Sequence, residues 1–275
     1  MRALQLVTRW AVAHAAAAVV TADGRVVDTI GDPTREFRLA SLTKIATGWA
    51  AMIAVEEGTI DLDEPVGQPA CTLRHLLAHA GGYPTDGPEP ITKPGRRRIY
   101  SNTGIELAAA AIEQRAGLPF ATYLTEAVLS PLGMTSTRLV GSPASGLRGT
   151  AADVTRLLAE LQRPQLLSAG GGVEAVTIQF ADLTGIVPGV GRFDPCPWGL
   201  GIEIRGDKSP HWTGTTNSPA TFGHFGAAGS MMWVDPGVGC GLVALGDRRF
   251  DDWPDALTAW STLSDAVIEQ WAVAA

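Results

Sequence analysis

Apolar residues alternate in strand-like runs near both ends of the chain and recur at helical spacing between them. Ala15 to Val20 and Arg25 to Ile30 flank Asp23-Gly24, which reads as a strand, a tight turn and a strand. Residues 1 to 14, ahead of that hairpin, read as a short amphipathic helix. Leu42, Ile45, Trp49, Met52 and Ile53 then repeat at helical spacing up to Gly58, so a buried helix should open at Ser41. Thr72 should open a second helix that closes at Gly81-Gly82, with Leu73, Leu76 and Leu77 on one face. Thr103 with Glu106 and Thr150 with Asp153 have capping-box spacing, the first for a helix ending at Gly117 and the second for one from Ala151 to Leu161. A further helix is expected from Phe120 to Leu129.

From Trp198 the period becomes two: Leu200, Ile202 and Ile204 alternate with Gly201, Glu203 and Arg205. Two more strand-like runs follow, Ser230 to Val234 and Gly241 to Leu245, and Leu257, Trp260, Leu263, Val267 and Trp271 mark one face of a final helix. The pattern predicts a single α/β domain of the α+β type, spanning residues 1–275. An antiparallel sheet would be built from both termini, roughly 1–60 and 195–275, and flanked by helices. A mainly helical subdomain, roughly 61–194, would be inserted between them.

Composition narrows the function classes. The 45% hydrophobic and 18% charged content excludes wholesale disorder, and no apolar run is long enough to cross a bilayer. A net charge of -7 argues against a nucleic-acid partner, because phosphate neutralisation needs clustered Lys and Arg. The short basic run Arg96-Arg97-Arg98 reads as a solvated loop rather than an anion site. Cys71, Cys196 and Cys240 are odd in number and lack metal-type spacing, so neither a disulfide framework nor a zinc site is indicated. His75 and His79 lie four apart, but no glutamate follows the first and no third ligand is evident. Packing or hydrogen-bonded histidines are expected there, with no metal and no cofactor. Arg2 and the apolar residues after it imitate an export signal, yet Arg9 and His14 interrupt it and its removal would delete the hairpin. A cytoplasmic location is therefore expected.

Ser41-Leu42-Thr43-Lys44 carries the candidate chemistry. It places a hydroxyl and an amine on one helical face, near free backbone N-H groups and the positive end of the helix dipole. Desolvation there would favour neutral Lys44, which could take the serine proton. The alternative is a serine capping an ordinary core helix, with Lys44 reaching solvent. Tyr100-Ser101-Asn102 is delivered by a loop rich in Pro and Gly, immediately before the next helix.

Taken together, Ser41-x-x-Lys44, Tyr100-x-Asn102 and His224-Phe225-Gly226 resemble, in this order, the motifs of the serine β-lactamase and penicillin-binding protein superfamily. The likeness is nearest to class C β-lactamases and related esterases and D-alanyl-D-alanine carboxypeptidases. It extends over about residues 35 to 250, and includes the stretches Thr72 to His79 and Pro131-Leu132-Gly133-Met134. The resemblance implies that Ser41 forms an acyl-enzyme while Lys44 and Tyr100 share proton transfer, with the choice of base open. Asn102 would orient Lys44 and grip a substrate amide. His224 would supply a cation weaker than lysine, changing charge near neutral pH. Gly226 would let the strand approach the substrate, and the backbone N-H groups of Ser41 and Ala227 would form the oxyanion hole.

Two departures bear on substrate. Phe225 stands where relatives usually carry Thr or a small residue, and a phenyl ring cannot hydrogen-bond a carboxylate. The stretch between Lys44 and Tyr100 is short, so loops that would deepen a cleft are missing. A small neutral ester or amide is therefore expected in preference to a β-lactam or a cell-wall peptide. No Gly-x-Ser-x-Gly occurs, which argues against an α/β-hydrolase. A non-catalytic relative that keeps the pocket to bind a ligand is the reading from a different class.

Overall fold

Both ends of the chain meet in one sheet. In the computed structural model, residues 2–272 are described; Met1, where the expected N-terminal helix would begin, and the last three residues fall outside them. Ala3–Arg9 winds as a 3-10 turn that buries Ala3, Leu4 and Val7, and β1 (Ala15–Thr21) and β2 (Val26–Ile30) then form the expected hairpin. Gly24 supplies the positive φ of 82° that this turn uses. After β3 (Glu36–Arg38), a 3-10 turn at Ala40–Leu42 runs into α1 (Thr43–Glu56).

The middle of the chain is α2 (Leu73–Leu77), β4 (Arg98–Ile99), α3 (Asn102–Ala116) and α4 (Phe120–Leu124), which loosens into a π turn at Thr125–Leu129. Next come β5 (Arg138–Leu139), β6 (Leu147–Thr150), α5 (Ala151–Gln162), α6 (Ala169–Val176), β7 (Gly185–Val187) and β8 (Gly191–Phe193). The chain returns to the sheet with β9 (Glu203–Ile204), β10 (Phe222–Gly226), β11 (Ser230–Asp235) and β12 (Cys240–Gly246), and finishes in α7 (Ala256–Trp271).

The main sheet has the order β2-β1-β12-β11-β10-β9, with every neighbouring pair antiparallel. β1 is zipped along its whole length to β12, from Ala15 opposite Gly246 to Thr21 opposite Cys240. The period of two then sorts side chains between two cores. Ala16, Ala18, Val20, Met232 and Val243 face α1 and α5, whereas Ala17, Val19, Trp233 and Leu242 face Trp260, Leu263 and Val267 of α7. This is the antiparallel sheet from both termini, flanked by helices, that the periodicity implied.

Several local expectations fail for identifiable reasons. The cap of α3 is Ser101, whose Oγ accepts the Gly104 N-H at 2.9 Å; Thr103 instead donates to Gly87 and Glu106 accepts from Ser142. Thr150 does cap α5, but the Asp153 carboxylate turns to the Ser136 N-H and the Thr137 hydroxyl, so that box is half made. α2 stops at Leu77, well before Gly81-Gly82, because His79 adopts a left-handed φ of 55°. The strand expected from Trp198 shrinks to Glu203–Ile204. Gly201, at φ 77°, lies so close to the backbone of α1 that a Cβ would sit 2.6 Å from the Lys44 carbonyl oxygen. Arg98 is likewise no solvated loop residue: it is buried, and its guanidinium donates to carbonyls of Ala78, Gln179, Phe180 and Cys196.

Candidate active site

Ser41 sits in the 3-10 turn that feeds α1, one residue after Ala40, a non-glycine residue at φ 46°. Strain of this kind persists where the surroundings over-determine the backbone. Here the surroundings are β10 and β11: Ser230 Oγ donates to the Leu39 carbonyl at 3.0 Å, and a Cβ on Gly226 would meet that same oxygen at 2.4 Å. Gly226 is therefore needed for the approach of β10 to the Leu39-Ala40 turn. That approach places Ser41 and Ala227 on the rim of one pocket.

Lys44 follows one turn later and is completely buried. Its Nζ lies 3.2 Å from Ser41 Oγ, 2.7 Å from Asn102 Oδ1 and 3.0 Å from the Ala144 carbonyl oxygen. Burial pulls its pKa down from 10.5 to about 7, and the Asp86 and Glu106 carboxylates restore only part of the loss. Neutral Lys44 can donate to Asn102 and Ala144 while its lone pair faces the Ser41 hydroxyl. Asn102 is oriented in turn by the N-H it donates to Asp86 at 3.0 Å.

Tyr100 reaches the same oxygen, its hydroxyl donating to Ser41 Oγ at 2.6 Å. Burial raises the phenol's pKa, and the Glu203 and Asp86 charges add to this against the bond to Ser41. Tyr100 is therefore protonated where Lys44 is half neutral. The Lys44 Nζ also lies 4.6 Å from the centre of the Tyr100 ring. Two of the three segments read from sequence thus meet at one alcohol oxygen, and the third, at His224-Phe225, borders the same pocket.

His224 departs from the weak cation expected. It is buried, and desolvation together with nearby Lys44 pushes its pKa down to about 3, so it is neutral at any ordinary pH. Its Nδ1 lies 2.6 Å from the Phe225 carbonyl oxygen, which fixes the proton on Nδ1 and leaves Nε2 an acceptor without a partner among the described residues. Phe225 points into the α7 core, with ring centres 5.3 Å from Phe250 and 5.6 Å from Trp260, yet it also borders the pocket.

The pocket is small, about 80 Å³, and its other walls are Val187, Pro188, Trp198 and Glu203. Sequence reading missed these four. Glu203, which alternates with the apolar positions Ile202 and Ile204, is buried and ionised. Burial opposes its charge, while Lys208 Nζ at 3.0 Å, His211 Nε2 at 3.1 Å and the Trp212 N-H at 2.8 Å outweigh that cost and hold the carboxyl well below its usual range. The signal available was the Lys208-x-x-His211-Trp212 cluster a few residues on. The two spaced histidines diverge: His75 pairs with Thr72, while His79 Nδ1 accepts the Ser101 N-H at 3.2 Å and packs on Tyr100.

Comparison with known proteins finds relatives in sequence and in fold. A family model described as Beta-lactamase matches residues 6–266. A crystal structure of a beta-lactamase from Mycobacterium bovis superposes with a TM-score of 0.96 at 46% identity, over 98% of this chain and 100% of that one. Simvastatin synthase from Aspergillus terreus shares the fold, with a TM-score of 0.82 at 17% identity over 97% of this chain and 96% of that one. A curated beta-lactamase of Yersinia enterocolitica is 27% identical over 51% of this chain and 50% of its own length. The chain spans about half the length of that relative, and less of others.

Proposed function

Because the chain belongs to the beta-lactamase family, we propose that it is a serine hydrolase that cleaves a small neutral ester or amide through a Ser41 acyl-enzyme. The observation that carries this reading is the position of Ser41 Oγ, 3.2 Å from a lysine amine brought to about pKa 7 and 2.6 Å from a protonated phenol. A weak nucleophile beside a poised base and an acid is what acyl transfer requires.

Neutral Lys44 takes the Ser41 proton as Oγ attacks the carbonyl carbon. The oxyanion so formed accepts the N-H groups of Ser41 and Ala227, each such donor being worth about a hundredfold in rate. As the tetrahedral species collapses, the Tyr100 hydroxyl gives its proton to the departing oxygen or nitrogen. Tyr100 is then reprotonated from Lys44, which returns the amine to its neutral form. Water attacks the acyl-enzyme by the same steps in reverse order of roles, releasing acid and regenerating Ser41. Asn102 holds the Lys44 amine in line throughout.

The walls support the reading of a neutral substrate. Among the described residues no cation lines the pocket to receive a carboxylate, since His224 is neutral, Phe225 is a hydrocarbon and Glu203 is an anion. A second reading, cleavage of a β-lactam or a D-alanyl-D-alanine peptide, is favoured by the 46% identity to a protein described as a beta-lactamase. Treatment with a serine-directed fluorophosphonate followed by intact mass should give one adduct, lost in Ser41→Ala. Absence of that adduct would leave a ligand-binding protein. Relative kcat/KM on p-nitrophenyl acetate and a chromogenic cephalosporin then ranks the two substrate classes, with the ester expected to lead.

A further inference from the structure

His224 has a use for its ring that neither proton transfer nor anion binding explains. Its imidazole forms part of the wall of the 80 Å³ pocket and is only 2% exposed. The Nδ1 edge is spent on the Phe225 carbonyl at 2.6 Å, so the lone pair on Nε2 is turned away from that carbonyl, and no donor among the described residues reaches it. A buried acceptor left without a donor is costly, and such groups are retained where a ligand completes them. The neighbouring walls leave it open: Val187, Pro188 and Phe225 carry no side-chain donor, Glu203 is an acceptor already engaged with Lys208, His211 and Trp212, the Tyr100 hydroxyl is committed to Ser41, and the Trp198 N-H, 5.4 Å away between ring centres, makes no hydrogen bond to it.

The side of the reaction that His224 serves follows from Tyr100. The two rings meet edge to face, with centres 5.7 Å apart, and Tyr100 is the group that reaches the departing atom in the Ser41 reading on which this inference rests. A ligand group beside His224 therefore belongs to the leaving half of the substrate.

We infer that His224 is a specificity-determining residue whose Nε2 accepts a hydrogen bond from an O-H or N-H on the departing alcohol or amine. The substrate class is then small esters or amides whose leaving group carries a donor one or two carbons from the scissile bond. Hydrocarbon leaving groups of equal size strand the lone pair, and carboxylate-bearing ones set two acceptors and the Glu203 charge against each other. Recognition by a single neutral hydrogen bond of this kind is worth about tenfold in kcat/KM.

Three acetates test this: 2-hydroxyethyl and propyl acetate, matched in length, and 2-methoxyethyl acetate, one atom longer and with its donor removed. The first should be cleaved about tenfold faster in kcat/KM than either of the others, because only it offers a donor. In His224→Leu the three should fall within about twofold of one another, while His224→Gln, which keeps an acceptor, should retain a preference. Equal rates on the three acetates in the unaltered protein would overturn the inference and leave the Ser41 hydrolase standing. A preference for the hydroxyethyl ester that survives in His224→Leu would overturn it too. If none of the acetates is cleaved and no fluorophosphonate adduct forms, the hydrolase reading itself falls and takes this inference with it. Where His224→Leu fails to fold, equal rates on the three acetates in the unaltered protein still overturn the inference.

Discussion

Two lysines are sealed inside this protein, and they have opposite surroundings. Lys44 is 0% exposed and Lys208 is 3% exposed. Lys44 meets only uncharged acceptors, Ser41, Asn102 and the Ala144 carbonyl, and its amine is brought to about pKa 7. Lys208 meets a carboxylate, Glu203 Oε1, at 3.0 Å, together with the Pro197 and Ile204 carbonyls. The cost of removing an ammonium from water is similar at both sites. Where no counter-ion offsets it, the cost emerges as proton affinity lost and a base gained; where one does, it is spent on fixing two segments together. Burial alone thus does not decide a lysine's role. The charge of its nearest neighbour does.

The contrast is broken most severely at the paired site. Lys208→Met should leave the Glu203 carboxylate buried with only His211 and Trp212 for partners, destabilising the fold by about 3–5 kcal/mol. Urea unfolding would measure this. Glu203→Gln combined with Lys208→Met should restore much of the loss, since no charge is then stranded. If the double variant is no more stable than Lys208→Met alone, the pair is not the brace described.

Converting the unpaired site into a paired one should act next most strongly. Asn102→Asp, made together with Asp86→Asn so that the new carboxylate still has a donor, would set a negative charge about where Oδ1 now lies, 2.7 Å from the Lys44 amine. The lysine pKa rises and the ammonium persists at neutral pH. Activity at pH 7 should fall by roughly 10–100-fold and recover as pH is raised. An unmoved pH profile would show that Lys44 does not accept the serine proton.

The same logic fixes the sign for the unaltered protein. Because desolvation lowers the folded pKa of Lys44, the competent neutral form is lost below about pH 7 and gained above it. Between pH 6 and 8 kcat/KM on a neutral ester should therefore rise by about tenfold. His224 titrates at about 3 and contributes nothing in this window. A decline over the same range would point to a protonated imidazole and sink the neutral assignment.

The paired and unpaired sites also differ in how legible they were. Ser41, Lys44, Tyr100 and Asn102 stood in short motifs, and periodicity placed the α1 helix and the β1, β2, β11 and β12 strands correctly. Helical spacing predicted the neighbourhood of Ser41 and Lys44 because both lie on one continuous turn. Glu203 was missed because alternation assumes one wet face, whereas β9 is two residues long and buried on both sides. His224 was misread for a related reason: a motif position names the residue type, but desolvation sets its charge. The Ser101 cap was missed because Thr103 with Glu106 offered a better-looking box two residues later, and only the His79 and Pro84 contacts of Ser101 select between them.

Phe225 offers the smallest effect and joins the two regions, since it packs on Trp212, which anchors Glu203, while bordering the pocket that Lys44 serves. Phe225→Thr would replace a hydrocarbon wall by a hydroxyl able to donate to a carboxylate. Because His224 stays neutral and Glu203 stays charged, one hydroxyl can only partly reverse the discrimination against anions. The ratio of cephalosporin to p-nitrophenyl acetate turnover should rise by about threefold, a ratio being insensitive to any loss of folded enzyme. An unchanged ratio would mean that the phenyl ring does not filter substrates. The exclusion of carboxylates would then rest on the neutral imidazole and the Glu203 charge, and Glu203 would be the wall to alter next.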